Sequence, residues 1–231
     1  VTETTEIHTG GVDLIFPHHE NEIAQSEAAT GKKFVTTWLH NAHLQLRGVK
    51  MARRLGNIEK PAEVFAEGWT PPELRYALLA THYRAPLDWG DETLEHARAA
   101  VERLAAVVAA LDAYEEERAD DPDLPAVLQT ARDDFKLAMD DDLNVSAGLA
   151  AVMELVRDLN RRVDARSLST ADARRAIDAL RDLDRVLALL PEAQTLPSGT
   201  AELLEQRAAA RAERDWARSD ELRGQLAAMG V

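Results

Sequence analysis

The chain has 231 residues, of which 45% are apolar and 29% are charged. This composition is ordinary for a globular protein with one large or several small cores and excludes a disordered chain. No apolar run approaches the roughly 20 residues that span a bilayer, and no signal peptide opens the sequence, so we expect a cytoplasmic protein without a membrane partner. The lack of cysteine excludes disulfides and any thiolate metal site made by this chain alone.

Segment 7–31 is predicted to form a buried strand, a turn and a helix. Gly10 and Gly11 allow the backbone to bend or to approach a ligand closely. Pro17 stands where a helix begins, because its missing N–H is not needed there, and Gly31 stands where the helix ends. In open α/β sheets, ligands bind at such strand-to-helix junctions.

His18 and Glu22 are four residues apart and therefore share one face of the predicted helix, in its first turn. His19 lies on a neighbouring stripe of the same helix. An imidazole and a carboxylate placed in this way are suitable ligands for a divalent metal such as zinc. The same spacing is also typical of a surface ion pair or a helix cap, and the spacing alone leaves both interpretations open.

Residues 34–57 are predicted to contain a strand and a basic loop. Alternating side chains over 43–47 predict a strand that runs into a turn at Gly48. Residues 50–57 follow as a polar loop with several cations. Such a loop after a sheet strand can bind polyphosphate or can simply be exposed to solvent, and composition alone does not separate these alternatives.

The remainder of the chain, from Lys60 onward, is predicted to be helical because apolar residues recur at helical spacing. An acidic linker over 115–125 and a break over 191–199 separate the helices. The predicted helices cover 62–67, a segment from Pro71, 91–111, 126–139, 145–163, 170–190, 200–215 and 219–229. Asp140 to Asp142 is predicted to end one helix and cap the next, since the glycine and glutamate of a calcium loop are missing.

Several segments resemble the second half of cysteinyl-tRNA synthetases, which are class I aminoacyl-tRNA synthetases. The most specific is Phe16-Pro17-His18-His19-Glu20-Asn21-Glu22, within a similar run from His8 to Glu27. The other matching segments follow in the family's order: Trp38 to Asn41, Lys50 to Asn57 at the place of the KMSKS loop, His82 to Asp88, Met139 to Asn144 and Asp215 to Asp220. The resemblance therefore covers nearly the whole chain.

The resemblance implies an α/β fragment, the second half of a Rossmann-like class I catalytic domain, followed by an all-α helical bundle, with a mainly α chain overall. It implies a partial catalytic domain over 1–57, a connecting region along the tRNA stem over 58–95, an anticodon-side bundle over 96–191 and a small helical tail over 192–231. The first half of the family's sheet, which carries the HIGH motif, is not in this sequence. A half-sheet exposes its edge, so we expect this fragment to be unstable unless upstream chain or a partner covers it.

By the resemblance, five positions of this sequence correspond to the family's nucleotide-binding site. Gly10, Gly11 and Asp13 would lie by the ribose of ATP, which binds with Mg²⁺, and Lys50 and Arg53 would act as the catalytic cations at its phosphates. Arginine replaces the second lysine of the family's loop, and both of the loop's serines are replaced as well. Because the guanidinium is larger and aimed differently from an ammonium group, these changes put normal turnover in doubt.

The family's metal site carries over to His18 and Glu22, which would hold Zn²⁺ for direct binding of the substrate thiolate. The family completes this site with two cysteines, and neither is present here. His18 and Glu22 supply two ligands of four, so the zinc site is incomplete in this chain. Either the other ligands lie on another polypeptide segment, or the metal has been lost.

A formal charge of −14 is unfavourable for nucleic-acid binding, although a local basic patch can still bind a phosphate backbone. The candidate tRNA-binding residues are Arg161 and Arg162, and Arg211 and Arg214. The second pair belongs to an arginine series with helical spacing. That series is equally typical of a solvated helix face with interspersed glutamates.

Three functions remain open. The first is the C-terminal portion of a cysteine–tRNA ligase, with cysteine and tRNA-Cys as substrates and no DNA partner. The second is a non-catalytic truncated paralog that binds tRNA or another protein. The third is a cysteine–amino-sugar ligase of thiol biosynthesis, a family that lacks so long an anticodon-side tail. Whether the chain is an enzyme is uncertain. Without the HIGH-bearing half we do not expect catalysis by this chain alone. That half, or another protein chain, is a candidate partner.

Overall fold

The computed structural model of the chain describes residues 4–190, 203, 206, 207, 218 and 222–225. The described residues up to 190 belong to one compact unit, and those beyond 190 belong to a second. The first unit contains a small α/β region followed by a helical bundle. This confirms the predicted fold class, an α/β fragment with a helical bundle and a mainly α chain. The finer division at 57 and 95 stays a prediction.

The amino-terminal region is a parallel strand pair connected through a helix. Strand β1 (Thr5–Gly11) pairs with β2 (Val35–Asn41), and helix α1 (Glu20–Thr30) lies between them in sequence. The predicted helix start at Pro17 is wrong by a few residues, because Pro17 lies in an irregular turn and regular α-helix begins at Glu20. Phe16 has extended dihedrals (φ −134°, ψ 133°), as expected for a residue before proline.

The first strand is not buried, contrary to the prediction. In the part of the chain that the structure describes, neither β1 nor α1 contains a buried residue. Ile7 is 63% exposed and Phe16 is 76% exposed. A buried strand lies inside a sheet with both faces covered, whereas the sheet formed by the described residues at this position has only two strands.

A second small sheet leads into the basic loop. Strand β3 (Leu44–Leu46) pairs antiparallel with β4 (Val49–Lys50) and parallel with β5 (Leu87–Trp89). The β3–β4 turn contains Gly48 at φ 74°, as predicted from its position. Helices α2 (Pro61–Ala66) and α3 (Pro71–Leu79) pack against this sheet, with Val64, Ala77 and Trp89 among the buried residues.

Four longer helices form the bundle and carry the main hydrophobic core. They are α4 (Asp91–Asp112), α5 (Leu124–Asp140), α6 (Val145–Asp164) and α7 (Thr170–Leu187). Apolar side chains at helical spacing meet in their centre, including Leu111, Leu124, Leu159 and Leu180. None of the described helices is long and apolar enough to cross a membrane. The helices predicted over 200–215 and 219–229 lie largely outside the described residues.

The turn between α5 and α6 differs from its prediction. Asn144, rather than the aspartate run, caps α6, because its side-chain oxygen accepts a hydrogen bond from the Ala147 N–H (3.1 Å). Asp142 and Leu143 both have left-handed backbone conformations (φ 53° and 54°). The aspartate run therefore forms a tight turn before the cap instead of the cap itself.

Candidate active site

Three imidazoles and an indole meet on one face of the parallel strand pair. The register places His8 opposite Trp38 and Gly10 opposite His40. The rings of His8 and Trp38 lie 4.7 Å apart, and those of His19 and Trp38 lie 4.8 Å apart. The cluster forms because side chains at corresponding positions of paired strands point to the same face.

His19 is buried and its orientation is fixed by His40. The Nδ1 atom of His19 lies 2.8 Å from the Nε2 atom of His40. Burial lowers the pKa of His19 below its ordinary value, and the neighbouring imidazoles of His40 and His8 lower it further. His19 is therefore a neutral imidazole near pH 7, which is the form that binds metal ions. A hydrogen bond at one ring nitrogen orients the other, as in known metal centres.

Glu22 lies between two histidines. Its Oε2 atom is 3.5 Å from Nε2 of His8, and its Oε1 atom is 3.6 Å from Nε2 of His18. The Oε2 atom is buried and has no hydrogen-bond partner among the described residues. A buried carboxylate oxygen without a partner requires an explanation, and a bound cation is one.

The donor set fits a metal ion. Ligand atoms of His8, His19 and Glu22 lie within 4.8 Å of one another. Two imidazoles and one carboxylate form a known ligand set for catalytic zinc, which keeps a further coordination position open. The predicted pair of His18 and Glu22 is brought together across the junction between the irregular turn and α1, with His18 largely exposed. Its role as a ligand pair stays a prediction.

Sequence reasoning missed His8 and His40 as members of this cluster. The available signal was that His40 stands near the carboxyl end of its strand, where parallel strands place their functional side chains together. His8 is the central residue of β1 and gave no such signal. The pairing register itself is a long-range property, and the spacing of His18 and Glu22 along one helix carries no information about it.

The two glycines make room for side chains of the site. A Cβ atom on Gly10 would lie 2.7 Å from Cε1 of His19, and one on Gly11 would lie 2.5 Å from Oδ1 of Asp13. Both distances are shorter than real Cβ contacts. Gly10 therefore allows the imidazole of His19 to sit against β1, and Gly11 allows the Asp13 carboxylate to fold back over the strand end.

The predicted nucleotide residues are also brought together, except for Arg53. The ammonium group of Lys50 lies 2.7 Å from Oδ2 of Asp13. This hydrogen bond is the main reason that the pKa of Asp13 is lowered. Arg53 lies in an exposed 3₁₀ turn (Arg53–Leu55) and forms no ion pair with any residue that the structure describes.

The loop that carries Lys50 is closed by Asn57. The side-chain oxygen of Asn57 accepts a hydrogen bond from the Ala52 N–H (2.8 Å), and its amide group donates to the Lys50 carbonyl (3.1 Å). An Asn side chain bonded to nearby backbone groups stabilises a turn. The backbone that follows Lys50 is therefore held in place.

The candidate tRNA-binding arginines differ in exposure. Arg161 is 75% exposed and forms an ion pair with Asp158. Arg162 is only 17% exposed, and its guanidinium contacts Asp158 and Asp121. This geometry favours Arg161 over Arg162 for contact with a large ligand. Arg211 and Arg214 lie outside the described residues.

Three family models match successive parts of the sequence. The class I (C) tRNA synthetase catalytic domain matches residues 1–99, the DALR domain matches 134–191, and the cysteinyl-tRNA ligase anticodon binding domain matches 193–231. The chain belongs to the cysteinyl-tRNA ligase family. The matched models support the resemblance drawn from the sequence motifs, including the assignment to the C-terminal half.

Curated members of the cysteinyl-tRNA ligase family match almost the whole chain. The cysteine–tRNA ligases of Azotobacter vinelandii and Symbiobacterium thermophilum are each 42% identical over 238 residues, and 99% of this chain is covered. The enzyme of Chlamydia abortus is 38% identical over 228 residues. The chain spans about half the length of these relatives, 49%, 50% and 48% respectively.

A solved structure is similar in fold. The LeuRS of Agrobacterium radiobacter K84, in a ternary complex with tRNA and LeuAMS, superposes with a TM-score of 0.61 over 80% of this chain and 26% of that chain. At 20% sequence identity this likeness concerns the fold alone.

Proposed function

We propose that this chain supplies the C-terminal part of a cytoplasmic cysteine–tRNA ligase, which activates cysteine with ATP and Mg²⁺ and transfers it to tRNA-Cys. The observation that carries the proposal is that two sets of side chains approach neighbouring glycines at the end of β1, with His19 against Gly10 and Asp13 against Gly11. Asp13 and Lys50 form one set, and the histidines around Glu22 form the other. A nucleotide site beside a metal site at one strand end suits the activation of a thiol amino acid.

Lys50 and Arg53 contact the ATP phosphates in this proposal. Cations at phosphate groups stabilise the negative charge that develops as the adenylate forms. The ammonium group of Lys50 is now bonded to Asp13, so incoming phosphate competes with a carboxylate for it. Once Lys50 has moved to the phosphates, Asp13 and the glycine turn are free to contact the ribose.

In this proposal, Glu22 and the histidines near it would hold a zinc ion. His18 and His8 each approach a different oxygen of Glu22, and His19 is neutral and oriented by His40. A zinc ion held by these residues would supply a soft Lewis acid that favours the thiolate of cysteine over the hydroxyl of serine, a much poorer ligand. The cysteine ligands that the family adds to His18 and Glu22 belong to chain outside this sequence.

The helical bundle and the residues beyond 191 bind tRNA. The match of 193–231 to an anticodon binding domain supports this proposal, and the same match disfavours the cysteine–amino-sugar ligase. Arg161 is the described candidate with an accessible guanidinium. Phosphate contacts of this kind weaken as salt concentration rises.

The partner of the α/β fragment is a second α/β segment that covers the β1–β2 pair. The exposed Ile7 and Phe16, together with an α1 helix that contains no buried residue among those described, support this proposal. A two-stranded sheet is at best marginally stable in water without further strands or a packed helix. The same exposure and the substituted loop favour the second candidate, a non-catalytic paralog that binds tRNA or protein.

A fusion protein tests the proposed function. The half of the Azotobacter vinelandii relative that this chain does not match is joined in front of residue 1, and cysteine-dependent ATP–pyrophosphate exchange is measured. We expect exchange by the fusion and none by the 231-residue chain. Tight binding of tRNA-Cys by a fusion that lacks exchange would instead support the paralog. Exchange by the chain alone would contradict the paralog and the need for a partner segment.

The Gly10→Ala variant tests the structure of the metal site. The added Cβ would displace the imidazole of His19, so we expect zinc affinity to fall about tenfold, the scale of losses when a supporting group of a metal site is disturbed. The measurement is competition with a chromophoric zinc chelator. Thr9→Ala, at the neighbouring exposed position of β1, is the control and should retain full affinity. Equal affinities of both variants would show that His19 does not contribute to the site.

A further inference from the structure

Two of the motifs recognised in the sequence meet in space, although 58 residues separate them. The Arg84 guanidinium bonds to Asp142 with two N–H groups, from Nε to Oδ2 and from Nη2 to Oδ1 (3.1 Å for the second). The Tyr83 hydroxyl donates to Oδ1 of Asp142 (2.6 Å), and the Arg84 guanidinium lies over the Tyr83 ring (5.1 Å). We name these three residues the clasp. A two-pronged arginine–carboxylate contact fixes orientation as well as distance.

On the bundle side, the clasp holds the turn between α5 and α6. Asp142 and Leu143 are consecutive non-glycine residues with positive φ, a conformation found in only a few per cent of such residues. Backbone of this kind persists where surrounding contacts determine it, and it concentrates at functional positions. The contacts of the Asp142 side chain with Tyr83 and Arg84 add to the turn's own backbone hydrogen bonds, such as that from the Asn144 N–H to the Ala138 carbonyl (3.0 Å).

On the side away from the bundle, the segment that contains Tyr83 and Arg84 is hydrogen-bonded to residues 42–48, which lead into the basic loop (50–57). The Tyr83 carbonyl accepts from the Ala42 N–H (2.8 Å), and the Leu87 N–H donates to the His43 carbonyl (3.3 Å). The Asp88 carboxylate accepts from the Gly48 N–H (3.0 Å). We name residues 82–89 the bridging segment. Its bonds are thus spread over 42–48, directly before Lys50.

We propose that Asp142 is a positioning residue for the basic loop (50–57) and acts through Arg84, Tyr83 and the bridging segment. The proposal rests on the proposed function, in which Lys50 contacts the phosphates of ATP. Asp142 belongs to the helical bundle and touches neither nucleotide nor metal residues. Its contacts with Tyr83 and Arg84 hold the bridging segment in position. The hydrogen bonds of the bridging segment in turn hold β3 and the β3–β4 turn, which determine the position of Lys50. A displacement of about 1 Å at a reacting group lowers rates by up to about 100-fold.

The first test needs only the 231-residue chain. Backbone hydrogen exchange is compared between Asp142→Asn and Asp140→Asn. Asparagine tolerates a left-handed conformation, so Asp142→Asn removes the charge without disfavouring the turn. Asp140 pairs with Lys136 on the surface of α5, so its substitution removes the same charge from the same region without touching the clasp.

We expect backbone hydrogen exchange over 42–50 and 82–89 to become about tenfold faster in Asp142→Asn. In Asp140→Asn, hydrogen exchange over the same residues should equal that of wild type. Exchange within α7 should be equal in both variants and confirms that the bundle is folded. Equal exchange over 42–50 in both variants would overturn the proposal. This result does not depend on nucleotide or tRNA binding.

The second test uses the fusion protein described above. We expect the kcat of ATP–pyrophosphate exchange to fall about tenfold in Asp142→Asn, with the KM for cysteine unchanged, because the thiol site lies at the histidine cluster. Arg84→Lys should behave like Asp142→Asn, since lysine keeps the charge but lacks the planar fork. If kcat were the same in Asp142→Asn as in the control Asp140→Asn, the proposal would be overturned. An inactive wild-type fusion would contradict the proposed function instead, and hydrogen exchange would then decide the role of the clasp.

Discussion

Replacement of Glu22 by alanine is expected to weaken zinc binding by about 100-fold or more, since even indirect supports of a metal site contribute 10- to 100-fold. Glu22 is the common neighbour of His8 and His18, and its buried Oε2 has no other partner among the described residues. Its removal therefore eliminates a ligand from every ligand set that the geometry allows. The measurement is zinc titration of the 231-residue chain against a competing chelator.

Glu20→Ala is the matched control, because Glu20 is an exposed carboxylate in the same first turn of α1. It should bind zinc as the wild type does. His18→Ala and His8→Ala separate the ligand pair predicted from the sequence from the wider set indicated by the geometry. If Glu22→Ala retained wild-type affinity, the metal centre would not be at this strand end.

The helices were predictable because their signals are local. The bounds of α5 and α6 differ from prediction by only one or two residues, since apolar periodicity and cap residues act within one segment. The last helix of the bundle ends at Leu187 rather than Leu190. The Asp184 carboxylate accepts hydrogen bonds from the Leu189 and Leu190 N–H groups, a side-chain contact that periodicity does not reveal.

The site was predictable only where its residues are close in sequence. His18 and Glu22 meet because one helical turn separates them. The His19–His40 contact and the clasp depend on strand register and on packing between distant segments. The prediction of a buried first strand failed for a related reason, because burial of a strand requires covering elements that the strand's own residues do not specify.

Asp172→Ala is expected to destabilise the helical bundle by about 3 kcal/mol, as for other buried carboxylates that lose charged and backbone partners. Asp172 is fully buried at the start of α7. Its carboxylate accepts hydrogen bonds from the N–H groups of Ser169 (3.0 Å) and Asp121 (2.8 Å) and from Arg175 (2.6 Å). Alanine leaves these donors without their acceptor. Urea denaturation followed by circular dichroism measures the change.

The pH dependence distinguishes loss of this carboxylate from general damage to the core. Burial by itself would raise the pKa of Asp172, but the hydrogen bonds from Arg175 and the backbone outweigh it and lower the pKa to about 2. Its contribution is therefore fully present above the unfolded pKa near 4 and is lost as the pH falls through 2, a change of about 2.5 kcal/mol. The difference in unfolding free energy between wild type and Asp172→Ala should shrink over that range. Asp178→Ala is the control, because Asp178 is exposed on the same helix. Its unfolding free energy should stay within about 0.5 kcal/mol of wild type. A difference that is constant with pH would show that alanine acts through packing and not through the lost charge.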